Sequence, residues 1–107
     1  MSNNLHHVKL SRLSARLEEL FSRVSGCGTT PTLPQELADE IASTAGEIMV
    51  ELADQRGDEL ARGVIEDARR LREVVRTIHP ESLKVADAGR LLASDLELVI
   101  REDKRAA

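Results

Sequence analysis

Apolar residues return at alternating steps of three and four in four separate stretches of this chain. The clearest stripe is Leu10, Leu13, Leu17, Leu20, Val24. The others are Ala38, Ile41, Ala45, Ile48, Leu52, then Val64, Ala68, Leu71, Val75, Ile78, and finally Val85, Ala88, Leu92, Leu96, Val99. That spacing keeps one face of a helix apolar along its whole length. It predicts an all-α fold, an antiparallel bundle of three to four helices at about 5–25, 33–55, 58–78 and 80–102.

The polar punctuation supports these limits. Residues 1–4 read as a loose leader, with Asn3 or Asn4 available as an N-cap, and residues 103–107 as a frayed tail. Gly26 and Gly28 flank Cys27 and stop the first helix, opening a loop over 26–32. Thr32 and Gln35 fit a capping box, with Pro34 in the first turn, where its missing N–H is harmless. His79-Pro80 ends the third helix, because the residue before a proline avoids the helical region. Pro80 and Glu81 then suit the start of the fourth, and Arg101, Lys104 and Arg105 suit its end.

Gly57 is the ambiguous joint. Carried forward, the second stripe would need apolar residues at Gln55, Glu59 and Arg62, and it finds none. The pattern restarts at Leu60 and Val64, so its phase slips near Gly57. A break there, with Asp58 capping the next helix, is the expectation. The alternative is a continuous helix from Leu33 to Ile78, about 70 Å long at 1.5 Å per residue, which its own flanking segments could not cover.

Composition narrows the picture. The chain has 107 residues, enough for one domain, and 41% are hydrophobic, so a folded core is affordable. Phe21 is its one aromatic residue; there is no Tyr and no Trp. The core must be built from Leu, Val, Ile and Ala, and stacking on nucleic-acid bases is excluded. Net charge is −4, but segment 5–25 carries +2 and segment 33–56 carries −5, so the first two helices are complementary neighbours. The acidic total argues against coating DNA, and nucleic acid is not an expected partner. With a single cysteine, no run of 18 apolar residues and no signal pattern, a reducing cytoplasm is expected and a membrane is not.

Candidate chemistry is sparse. His6 and His7 are adjacent, so they point about 100° apart on a helix and cannot chelate as an i, i+4 pair does. Phosphotransfer bundles carry an exposed histidine in mid-helix, whereas His79 stands before a proline. Cys27 has no nearby cation to lower its thiol pKa. Arg56-Gly57-Asp58 spells an adhesion tripeptide at a helix joint, where chance explains it. No Gly-rich phosphate loop, nucleophile elbow or Cys-x-x-Cys pair is present, so no catalytic residue, cofactor or metal site is expected. Arg62, Arg69, Arg72 and Arg76 form a basic stripe on the third helix that could meet an anion, although Glu66 and Glu73 stand at pairing distance.

Residues 82–92 resemble the last loop and short helix of histone folds, where a Ser or Thr and a branched apolar residue precede an Asp at fixed spacing. The resemblance covers eleven residues, and Pro80-Glu81 stands where that family has a basic pair. It implies dimerisation through long central helices. The same direction follows from the apolar residues beside the main stripes: Leu37, Met49 and Val50 on helix two, and Leu91, Leu98 and Ile100 on helix four. They exceed what one thin bundle needs. The expectation is a non-catalytic protein–protein interaction module, associating with a second copy or another helical protein. The alternative is a regulatory or nucleic-acid-associated protein using the arginine stripe.

Overall fold

The computed structural model describes the backbone of residues 2–26, 33–55, 57–77 and 82–106, and the side chains of 8–24, 33–55, 57–77 and 84–102. Four helices account for almost all of it: α1 (Ser2–Gly26), α2 (Gln35–Glu51), α3 (Glu59–Val75) and α4 (Ser82–Ala106). Helix α1 thus begins inside the expected leader, and α4 runs through the expected tail. Cys27, Thr32, Ile78, His79, Pro80, Glu81 and most of the 26–32 loop lie outside the described residues.

The three-four stripes become the core. Leu17, Ile41, Ile48, Leu71, Val64, Leu92 and Leu96 are completely buried, and among the described stripe members Leu13 and Ala88 are left half-buried. Packing runs around a ring: α1 on α2, α2 on α3, α3 on α4, and α4 back on α1. The chain is therefore a compact four-helix bundle, 44 × 22 × 18 Å. Its core closes with aliphatic side chains.

The joint at Gly57 is a break, which excludes the continuous 33–78 helix. Helix α2 ends at Glu51 with Leu52 as C-cap, and one turn of 3-10 helix follows at Ala53–Gln55. Gln55 N–H donates to Leu52 C=O at 2.9 Å and Asp58 N–H to Gln55 C=O at 3.0 Å, so tightened turns carry the chain around the corner. Asp58 then caps α3, its carboxylate accepting from Leu60 N–H at 3.0 Å. That role accounts for the last residue of the Arg56-Gly57-Asp58 tripeptide. The long central helix implied by the histone resemblance is absent, since α2 and α3 are 17 residues each.

Two other local expectations are corrected. Helix α2 takes Pro34 as N-cap, whereas the Thr32 of the expected capping box lies outside the described residues; Gln35 Nε2 donates to Asp39 Oδ1 at 2.9 Å. Helix α3 stops at Val75 with Arg76 as C-cap, and Thr77 Oγ1 donates to Val74 C=O at 3.0 Å. The complementary charges of the first two helices do meet. Arg23 reaches Glu40 at 3.2 Å and Lys9 reaches Glu51 at 4.0 Å, an antiparallel register.

Helices α1 and α4 approach closely at Gly89. A Cβ at Gly89 would stand 1.9–2.4 Å from three carbons of the Phe21 ring. The sole aromatic side chain therefore packs onto a bare backbone, and a side chain at position 89 would push its ring aside.

Candidate interaction surface

Helix α2 turns Ile41, Ala45 and Ile48 inward and presents its opposite face to solvent. On that face Ala42, Ser43 and Gly46 are short, while the flanking helices carry long cationic side chains. The result is a groove of about 1180 Å³ running over α2. Ala38, Ala42, Ser43, Gly46 and Val50 contribute its floor, Lys9, Arg12 and Arg16 of α1 one wall, and Arg72 and Arg76 of α3 the other. Arginine stems stand along such a surface with their heads in water.

The cations around the groove differ in how they are satisfied. Lys9 approaches Glu51. Arg12, Arg16, Arg72 and Arg76 pair with no carboxylate among the described residues. Arg72 Nε is buried without an acceptor. Asp39, Glu47 and Glu51 also line the groove, so it is a mixed surface with the positive charge on its walls.

The predicted arginine stripe is thereby divided. Arg69 sits between Glu66 and Glu73, the latter at 2.9 Å. Its hydrogen bond and charge hold the Glu66 carboxyl below the ordinary range. Arg62 is exposed at the other end of α3, and only Arg72 and Arg76 reach the groove. The predicted apolar contact residues divide as well. Leu37 is buried in the core, and Met49 and Ile100 pack against it half-buried. Val50 is 75% exposed at the groove, while Leu91 and Leu98 are 45% and 43% exposed on the outer side of α4.

A second polar feature lies between α3 and α4. Burial, followed by a hydrogen bond to Asp95 and repulsion from it, pushes the Asp67 carboxyl up to about 7, against the opposing charge of Arg70. Asp67 Oδ2 is buried and meets no donor when both carboxylates are ionised. A proton on Asp67 supplies a donor toward Asp95. Neither acid was singled out from the sequence, although each immediately precedes a buried stripe residue, Ala68 and Leu96. Arg12 and Arg16 were likewise missed, because nothing in their local spacing shows which helix lies across from them.

Among the described residues no three His, Cys, Asp or Glu side chains converge as a metal site, and no helix is long and apolar enough to cross a membrane. Comparison with protein-family models, curated proteins and solved structures found no match for this chain.

Proposed function

We propose that this chain is a small, non-catalytic protein–protein interaction module that receives a partner on the groove over α2. The observation that carries this reading is a small-residue helix surface walled on both sides by guanidinium groups that pair with no carboxylate among the described residues. Gly46 belongs to the same surface. A helix-interior glycine is disfavoured by roughly 1 kcal/mol against alanine. The fold does not ask for one here, since a Cβ would meet nothing nearer than Arg72 at 3.8 Å. What the glycine does is leave room for the Arg72 guanidinium to lie over α2.

The test is selection of a displayed library of helical peptides against the full chain. Gly46→Leu serves as the comparison, because its side chain fills the floor while its helix propensity favours the fold. Binders that lose affinity for Gly46→Leu, with the circular dichroism of the variant unchanged, support the reading. An empty selection, or binders indifferent to Gly46→Leu, sinks it.

A second reading, self-association, is favoured by Leu91 and Leu98. They lie seven residues apart on one side of α4 and are both substantially exposed. It predicts a solution mass twice 11.8 kDa that returns to the monomer value in Leu91→Glu/Leu98→Glu. A single-chain mass at millimolar concentration removes it. The nucleic-acid alternative has less support: its stripe is split by the Glu66–Arg69–Glu73 cluster, and carboxylates line the groove beside the remaining arginines.

A further inference from the structure

Resting on the groove as a docking surface, we infer that its occupant is an acidic amphipathic helix of another protein. Its small and apolar side chains lie over Ala42, Gly46 and Val50, and its carboxylates meet Arg12 and Arg16 on one edge and Arg72 and Arg76 on the other.

The spacing of the walls carries the first part of this assignment. Arg12 and Arg16 are one helical turn apart, and so are Arg72 and Arg76. Such pairs stand about 5–6 Å from each other along a helix. Two parallel rows with that repeat match carboxylates at i and i+4 on both edges of a partner helix. Arg72 leans over Gly46, its Cζ and Nε 3.8 Å from where a Cβ would stand, so the guanidinium of that row lies close to the α2 surface. The floor is shallow and apolar at Ala42, Gly46 and Val50, which suits the close approach of a helix carrying small side chains. Helix α2 has 17 residues, so about five turns of a partner span it at 1.5 Å per residue.

The remaining charges decide between occupants. Asp39, Glu47 and Glu51 at the groove oppose a continuous polyanion such as a nucleic-acid backbone. Discrete carboxylates placed over the walls avoid them. A second copy is a poor fit. Its own acidic helix is α2, the recessed floor of an identical groove, and its exposed α4 surface mixes Lys84, Arg90 and Arg101 with Asp87 and Glu97. Two concave surfaces of the same positive wall charge do not close on each other.

The experiment uses the helical binders selected on the full chain, each made again with every Glu and Asp replaced by Gln and Asn. Affinity is measured by titration calorimetry at low and at 0.5 M salt, as an imposed condition. The expected consensus carries acidic residues one turn apart on both edges of an apolar stripe. Its amide version binds about tenfold or more weakly, as four surface charge pairs would give. R12A/R16A/R72A/R76A binds the acidic and amide versions equally weakly, with unchanged circular dichroism. R12E/R16E takes a lysine-edged version in preference to the acidic one. A neutral or basic consensus, or acidic binders indifferent to the four arginines, overturns the inference while leaving a groove that still responds to Gly46→Leu. Binders indifferent to Gly46→Leu overturn the groove itself.

Discussion

Replacing Gly89 by alanine tests the close contact between α1 and α4, and its sign depends on one other side chain. The added Cβ would stand 1.9 Å from Phe21 Cζ, whereas carbon atoms settle at about 3.5–4.0 Å. The ring or the helix must therefore move by about 2 Å. Phe21 is half-buried, so its ring can swing outward, and the loss is bounded by the contacts it gives up. Overpacking of this kind costs about 1–3 kcal/mol, against a helix-propensity gain of about 1 kcal/mol for Gly to Ala. Gly89→Ala alone is thus neutral to about 2 kcal/mol destabilising. In a Phe21→Ala background the clash is gone and the same substitution stabilises by about 1 kcal/mol. Urea unfolding followed by far-ultraviolet circular dichroism reads the cycle, since the chain has no tryptophan for fluorescence. A Gly89→Ala that stabilises equally in both backgrounds would refute the Phe21–Gly89 contact.

The Asp67–Asp95 pair makes stability pH-dependent. Asp67 is raised from 3.8 to about 7 in the fold, so between those values the native state holds a proton that the unfolded chain has released. Its contribution is fully present below pH 3.8 and is lost as pH rises through about 7. Asp67→Asn keeps a donor toward Asp95 and removes the repulsion, so the melting temperature at pH 8 rises and its fall between pH 4 and 8 flattens; an unchanged profile counts against a proton held on Asp67. Gly46→Ala stabilises by up to about 1 kcal/mol in urea, because its Cβ meets only ordinary contacts; a loss of stability would mean the floor is already filled. Leu92→Ala, at a fully buried site in a core without large aromatics, destabilises by about 2–5 kcal/mol, and a loss under 1 kcal/mol would argue that α4 is not anchored there.

The architecture was largely legible because it rests on local rules. The stripes name the buried columns, the phase slip at Leu60 marks the break, and Asp58 behaves as the cap its position implies. Misjudged contacts come from the ring geometry. Each helix faces two neighbours, so its apolar arc is wider than a single three-four stripe. Leu37, Met49 and Ile100, which look surplus along the sequence, are consumed by that wider arc. The groove, the Phe21–Gly89 contact and the acid pair depend on which helices are adjacent and how each is rotated. Spacing along one helix does not encode that. The arginines illustrate the point: Arg69 and Arg72 share one stretch of α3, yet one is held between two glutamates and the other leans over α2.

The most direct test of the account is a nuclear magnetic resonance footprint of a selected acidic helix on the isotope-labelled chain. The account predicts shifts centred on the amides of Ala42, Ser43, Gly46 and Val50, together with the side chains of Arg12, Arg16 and Arg72. A footprint centred on Leu91 and Leu98 of α4, with the α2 face unmoved, would contradict it.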